Sequence, residues 1–544
     1  MQGRTGLPQR GAEEVIEKVA LIDALRRPEC YPHPVGVVEL VETHISWVLL
    51  AGDYAYKLKK PVDFGFLDFS TLTARRHFCE EELRLNRRLA PQLYLDVVAI
   101  TGSEAAPRIG GTGTALEYAV KMRRFRREGE LDNLAERGAL REEHVDALAA
   151  TIARFHAQAQ VAPPDGAFGT PQAALAPCIA NFDQLSRLHL PAGMAARLQR
   201  LHQWTLDEHE RRRALIARRL AQGRVRECHG DLHLANIVLI DGTPTVFDAL
   251  EFNPALRWID VISEVAFTVM DLEHRGRHDF AQRFLDDYLA HSGDYTGVAL
   301  LPFYLVYRAL VRTKVAALRS RQPGDAEGHR HAEADTLEIE RHLGLAERFA
   351  APRSPRLLLT HGVSGSGKSH VAMRLLALGD WIRLRSDVER KRLAGLAAQS
   401  RGGCGIDTGL YTPEMTGRTY ERLLALAESV LDARYPVIVD AAFLRDEQRR
   451  AFIALARARE VDWTILRTSA PEPVLRERIV RRAAQGADPS DATPEVLARQ
   501  LCAIEPLSGD ERDHEIVVDT SRPVDIEALA RSLMRPHGPS DPAR

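Results

Sequence analysis

The chain has 544 residues, 45% apolar and 27% charged, and its 73 basic and 75 acidic side chains give a formal net charge of −2. That length exceeds what one hydrophobic core serves, and the balanced charge gives no global case for nucleic acid or an anionic membrane as partner. The six cysteines (Cys30, Cys79, Cys178, Cys228, Cys404, Cys502) lack metal-ligand spacing, the N-terminus has no apolar leader and the apolar runs are too short to span a bilayer, so reduced thiols, a cytoplasmic location and no membrane partner are expected.

Residues 11–27 carry Val15, Ile16, Val19, Ile22 and Leu25 at helical spacing, and Pro28 ends that run. Alternating, β-branched stretches follow at 36–41 and 45–51, then a Gly52-Asp53 turn signal and a strand at 54–58. A helix is expected over 71–89, with Ser70 or Thr71 as cap and Pro91 after its end, then strands at 94–100 and 115–122. Helical patterning occupies 141–159 and 195–220, short strands return around 236–247, and helices resume at 258–272, 278–290 and 301–320. The polar stretch 319–335 reads as a linker followed by one helix, and Pro352 and Pro355 mark a boundary. Beyond it the pattern alternates strand and helix, with strands at 356–360, 382–385, 436–440, 462–466 and 515–519, which argues a parallel sheet. Two domains are therefore expected, at 1–345 and 353–537, with a frayed tail from Pro536.

The first half contains His229-Gly230-Asp231-Leu232-His233-Leu234-Ala235-Asn236, followed by Phe247-Asp248. Phosphoryl transfer needs little covalent help from the protein, only an oriented acceptor and held metal ions. An Asp on a rigid loop, an Asn five residues on and an Asp twelve further would supply that: Asp231 to accept the acceptor hydroxyl's proton or orient it, Asn236 and Asp248 to bind Mg²⁺. The series resembles the catalytic loop of kinase-like enzymes, and its HGD start and His233 resemble the aminoglycoside-phosphotransferase and choline-kinase-like branch.

The resemblance implies an α+β kinase-like two-lobed fold and places further residues. Lysine is scarce, with eight among 73 basic residues, yet Lys57, Lys59 and Lys60 fall together. Lys57 takes the place of the ATP-pairing strand lysine, with Lys59 on the same face as the alternative. Glu82 matches the helix glutamate that holds that lysine, in a register shared with Glu80 and Glu81. Val120, Lys121 and Met122 fall at the adenine hinge. No GxGxxG precedes the strand; Glu42-Thr43-His44-Ile45-Ser46 stands there instead. Arg308, Arg312 and Lys314 read as a solvated helix face, or as groups facing an anionic acceptor.

The second half contains Gly362-Val363-Ser364-Gly365-Ser366-Gly367-Lys368-Ser369, a complete GxxxxGK[ST] loop between a strand and a helix. Its backbone N–H groups would cradle phosphates, Lys368 would reach the β/γ-phosphates and Ser369 would hold Mg²⁺. Asp387, in Arg385-Ser386-Asp387, reads as the carboxylate that orients or deprotonates an acceptor, or as a helix cap with Ser386. Asp440 closes the apolar strand 437–440 as a metal-assisting carboxylate. Arg476, Arg478, Arg481 and Arg482 read equally as a phosphate-neutralising lid and as a solvated helix face. This half resembles the small-metabolite P-loop kinases near the gluconate-kinase and zeta-toxin-like group, which implies an α/β P-loop fold with a parallel sheet.

The whole chain resembles a bacterial tandem family that joins an aminoglycoside-phosphotransferase-like domain to a P-loop ATPase or kinase domain. The resemblance implies an ATP- and Mg²⁺-dependent phosphotransferase with two ATP sites acting on small hydroxylated metabolites. The alternatives are that one half senses ATP and regulates the other, or that the chain is a toxin-like or protein-directed kinase.

Overall fold

The computed structural model of the protein describes residues 18–63, 67–188, 190–320, 328–397, 412–485 and 493–534. The start of the first expected helix (11–17), the middle of the polar stretch (321–327), Cys404 and the tail from Pro536 lie outside them. Contacts divide the chain into two units, one holding 1–144, 158–178 and 213–268 and the other 145–157, 179–212 and 269–544. This division differs from a boundary at 345–353, because the helices beyond 269 fall with the second sheet.

In the first unit, β1 (Val38–Glu42), β2 (Ser46–Ala51), β3 (Tyr54–Lys59), β4 (Tyr94–Ser103), β5 (Ala106–Ile109) and β6 (Glu117–Arg123) form an antiparallel sheet in the order β1-β2-β3-β6-β4-β5. Gly52, at φ +58°, makes the tight turn from β2 to β3. Strand alternation sends Trp47, Leu49, Tyr56 and Leu58 into one core with Leu21, Leu25 and Ile100. The opposite parity of β3 therefore presents Lys57 and Lys59 to the helix Leu72–Asn86. That helix starts where expected, with Thr71 Oγ1 accepting the Ala74 N–H at 3.2 Å.

The segment after it pairs β7 (Val225–Glu227) with a later strand and folds β8 (Ile237–Ile240) back on β9 (Thr243–Val246). Asp241 at φ +50° and Gly242 at φ +76° form a two-residue turn matched to the twist of its strands. The partner of β7 is β10 (Trp258–Asp260), which the periodicity had placed inside a helix. Asp260 ends that strand because its carboxylate accepts the Ile262 N–H at 2.9 Å, and the helix Val261–His274 begins beyond it.

In the second unit, β11 (Arg356–His361), β12 (Ile382–Arg385), β13 (Val437–Asp440), β14 (Asp462–Ser469) and β15 (Glu515–Asp519) form a parallel sheet in the order β12-β13-β11-β14-β15. Leu357–Leu359 and Val437–Val439 are buried on both faces, as parallel strands require. The strand order reverses at β11, so the loops after β11, β12 and β13 share one crevice. The helix Leu301–Arg319 is not the solvated face expected around Arg308: that residue is buried, and Lys314 Nζ donates to Asn181 Oδ1 at 2.7 Å. The helix Pro171–Ser186, with Pro177 inside it, lies between the helical stretches 141–159 and 195–220, and Pro413–Asp432 lies between two strands of the alternating half, each without bounds that the sequence marked. Among the described residues no helix is long and apolar enough to cross a membrane.

Candidate functional site

Lys57 and Lys59 leave β3 on one side, and Glu82 reaches both. Lys57 Nζ donates to Glu82 Oε1 at 2.8 Å and Lys59 Nζ donates to Oε2. Lys57 also lies 2.5 Å from Asp248 Oδ1, while Lys59 turns inward to Glu251 Oε1. Burial by itself would depress the Lys57 ammonium, but Asp248 and Glu82 outweigh it and hold the group well above its ordinary range. Burial would likewise raise Glu82, yet the two lysines pull it down to about 2. Glu251, buried behind Lys59, is raised by desolvation. Lys57 thus bridges toward Asp248, and Lys59 anchors Glu82 from the core. Glu80 and Glu81 are occupied along the helix by Arg76 and Arg84.

The loop 229–236 is held by a residue that sequence reasoning missed. Glu264 accepts the N–H groups of His229 at 3.0 Å and Gly230 at 2.7 Å. Its sequence signal is an acid in the apolar first turns of the helix Val261–His274, which carries Asp271 and Glu273 only further on. Gly230 sits at φ +91°, where a Cβ would come 3.0 Å from Leu256 O. His229, whose imidazole burial pushes down, donates from Nε2 to Phe247 O at 2.9 Å and accepts the Asp231 N–H on Nδ1 at 3.3 Å.

Asn236 Nδ2 donates to Asp231 O at 2.9 Å and Oδ2 at 3.1 Å, which leaves its amide oxygen as the possible metal ligand. His233 Nε2 lies 3.3 Å from Asp231 Oδ2. At the other end of the hairpin Asp248 adopts φ +61°, with its N–H donating to Tyr94 Oη at 3.0 Å. An amide oxygen and a carboxylate are the kind of oxygen ligands that a hard cation takes. The hinge expectation needs correction. Val120, Lys121 and Met122 lie within β6, which pairs with β3 on one side and β4 on the other, so their main-chain groups belong to the sheet.

In the second unit Gly362, Gly365 and Gly367 have φ of +146°, +81° and +89°, and added Cβ atoms would stand 2.6 Å from Thr468 O, 2.7 Å from Leu475 O and 3.0 Å from Thr520 Cγ2. Only glycine lets this loop, with Val363, Ser364 and Ser366 between, wrap a phosphate-sized space. Lys368 Nζ donates to Val363 O at 2.9 Å, and Ser369 Oγ donates to Asp440 Oδ1 at 3.1 Å. Asp440 Oδ2 is buried and accepts no hydrogen bond among the described residues, and Arg383 Nη1 lies 3.9 Å from it. A hydroxyl beside an unsatisfied carboxylate oxygen is a donor set that fits Mg²⁺.

The surrounding cleft measures about 940 Å³ and is lined by Ser364, Lys368, Ser369, Asp387 and Asp440, with Arg385, Arg390, Arg445, Arg478, Arg481 and Arg482. Asp387 is not an N-cap: the helix Ser386–Leu393 has Arg385 at that position, without a side-chain capping bond. The basic helix divides. Arg476 pairs with Glu472 outside the cleft, whereas Arg478 donates to Gly365 O at 3.2 Å and to Thr520 Oγ1 at 2.9 Å.

Burial pushes Lys368 down to about 8, with Asp440 and Asp387 opposing it. Bound phosphate favours the ammonium, so nucleotide affinity at this loop should be full below that pH and decline as pH rises through it, with a proton taken up on binding. Lys57, held well above its ordinary range, stays charged there. Titration calorimetry near pH 8 in two buffers of different ionisation enthalpy checks this, and equal heats in both would contradict it.

The family model described as the phosphotransferase enzyme family matches residues 70–301, and one described as an AAA domain matches 357–507. Uncharacterized proteins of Mycobacterium tuberculosis and Mycobacterium bovis are 34% identical over 473 residues, which is 86% of this chain and 91% of theirs. Among solved structures, a choline/ethanolamine kinase family protein from Mesorhizobium loti is 13% identical, covering 61% of this chain and 99% of that one at a TM-score of 0.36. A gluconokinase from Sinorhizobium meliloti is 21% identical, covering 33% of this chain and 90% of its own at a TM-score of 0.24.

Proposed function

Because the chain belongs to the family of these mycobacterial proteins and is, by its phosphotransferase-family and P-loop domains, an ATP-dependent phosphotransferase, we propose that it has two ATP·Mg²⁺ sites and phosphorylates hydroxyl groups of small metabolites at both. The observation that carries this reading is that each half brings a lysine and a carboxylate together in a separate frame: Lys57 with Asp248 beside Glu82, and Lys368 with Asp440 beside Ser369. We assign the nucleotide- and acceptor-handling residues of the two activities to 1–345 and 353–537.

In the first half, Asp231 orients the acceptor hydroxyl and takes its proton, while Asn236 and Glu264 keep that carboxylate and its loop in place. Lys57, steadied by Glu82, binds the nucleotide phosphates, and Asn236 and Asp248 hold Mg²⁺. In the second half, the glycine loop and Lys368 bind the phosphates, Ser369 and Asp440 hold Mg²⁺, and Asp387 takes the role of Asp231. Mg²⁺ supplies charge neutralisation of the phosphates at both places. Arg385, Arg390 and Arg445 make the second cleft strongly cationic, so its acceptor carries a carboxylate or phosphate besides the hydroxyl.

Nucleotide stoichiometry on the full chain tests the two-site claim. The wild type should bind two ATP per chain with Mg²⁺, and Lys368→Ala and Asp248→Asn should each bind one. A metabolite screen for ATP consumption, run on both variants, then assigns acceptors, with sugar acids and sugar phosphates expected for the P-loop half. One ATP per wild-type chain would sink the claim. Two ATP with no transfer to any acceptor would favour an ATP sensor instead.

A further inference from the structure

Helix His278–Ser292 lies in the span matched by the phosphotransferase family, yet within the second unit it packs on β12, the edge strand of the parallel sheet. From β12, the buried Arg383 sends a fork into this helix: Nε lies 3.3 Å from Asp286 Oδ1 and Nη2 lies 2.5 Å from Asp286 Oδ2. Its remaining nitrogen, Nη1, is the group 3.9 Å from Asp440 Oδ2, the buried carboxylate oxygen that accepts no hydrogen bond among the described residues. A second contact seats the helix. Arg392 donates to the carbonyls of Ala290 at 2.5 Å and His291 at 3.4 Å, and Gly293, at φ +67°, gives that guanidinium room.

Packing alone does not account for the pair. Two apolar side chains of similar volume would hold helix and strand together at least as well as a buried ion pair. They would not fix a cation behind Asp440. A guanidinium locked in a bidentate fork has one orientation, which sets where its third nitrogen stands. We infer that Asp286 is a positioning residue of the P-loop site: by locking Arg383 it fixes the Asp440 carboxylate for Mg²⁺, so that a helix from the phosphotransferase-family span completes the P-loop half.

This inference rests on the P-loop reading proposed above. The test measures ATP affinity of the full chain by calorimetry with and without Mg²⁺, in an Asp248→Asn background that weakens the other metal site. Lys368→Ala marks which binding belongs to the loop. Asp286→Asn should reduce the Mg²⁺-dependent gain in affinity by roughly 10–100-fold, the usual effect of losing a residue that orients a metal ligand, and leave Mg²⁺-free affinity unchanged. Asp286→Glu should restore part of the gain. Once Asp440→Asn is present, adding Asp286→Asn should cost nothing more. Melting curves confirm folding of each variant, and Asp286→Leu with Arg383→Met provides a packed chain without the charges, expected to behave like Asp286→Asn. A full Mg²⁺ gain in Asp286→Asn, or an equal loss with and without Mg²⁺, overturns the inference. Wild-type protein without Lys368-dependent ATP binding would overturn the P-loop reading and the inference together.

Discussion

With Asp231 replaced by Asn, phosphoryl transfer by the kinase-like half should fall by about 10²–10⁴, the usual worth of a general base. ATP affinity in the presence of Mg²⁺ should stay near wild type. The substitution keeps an oxygen to accept from Asn236 Nδ2, so the loop geometry survives and only the proton acceptor is lost. Asp248→Asn should do the reverse and weaken Mg²⁺·ATP binding itself. It removes the carboxylate beside Lys57, while the Tyr94 contact to the main-chain N–H remains. A Lys368→Ala background isolates this half, and initial rates against ATP and Mg²⁺ concentration separate the two effects. If both variants lost binding in parallel, the division of roles between acceptor and metal would be wrong.

How much of this was legible in the sequence depends on chain separation. The P-loop and the loop 229–236 could be read because each motif is carried by consecutive residues. The glycines needed at Gly365 and Gly367 announce themselves, since no other residue fits beside Leu475 O or Thr520. Lys57 and Glu82 could be paired only through the resemblance to kinase-like enzymes, and their strand and helix do bring them within 2.8 Å. What stayed hidden is made by distant partners. Nothing near Glu264 says that it will take two N–H groups from residues 229 and 230, and nothing near Asp286 points to Arg383 across 97 positions.

The fold shows the same limit. Strand and helix periodicity located the sheets, but β10 looked helical because its three residues run straight into Val261. The helix Leu301–Arg319 offered arginines at a spacing that fits a solvated face, and the burial of Arg308 comes from tertiary packing that a single helix cannot report. The expected boundary at 345–353 followed polar and proline punctuation, whereas compactness follows contacts such as that of helix His278–Ser292 with β12.

Removal of Glu82 should be the most destabilising change in the first unit. Its side chain is fully buried and accepts from Lys57 and Lys59 at once. Glu82→Ala leaves two ammonium groups in the interior, sharing only Asp248 and Glu251, and breaking a buried pair in this way costs about 3–5 kcal/mol. For a unit of this size each kcal/mol shifts the melting temperature by roughly 2–4 °C, so a fall of about 6–20 °C is expected. The exposed Glu80→Ala, which loses only a surface pair with Arg76, should move it by no more than about 0.5 kcal/mol equivalent.

The same carboxylate sets an acid limb. Its folded pKa of about 2 lies below the ordinary 4.5, so the unfolded chain binds more protons between those values and stability rises with pH across that window. The contribution is complete above about pH 4.5 and is lost as pH falls toward 2. Glu82→Gln cannot ionise, so it should lower the melting temperature at neutral pH yet lose less on acidification than the wild type does. Melts of wild type, Glu82→Gln and Glu80→Ala at pH 7 and about pH 3 read both effects. If Glu82→Gln melted with the wild type at neutral pH, the lysine pair would not depend on Glu82, and the clamp on Lys57 would have to come from Asp248 alone.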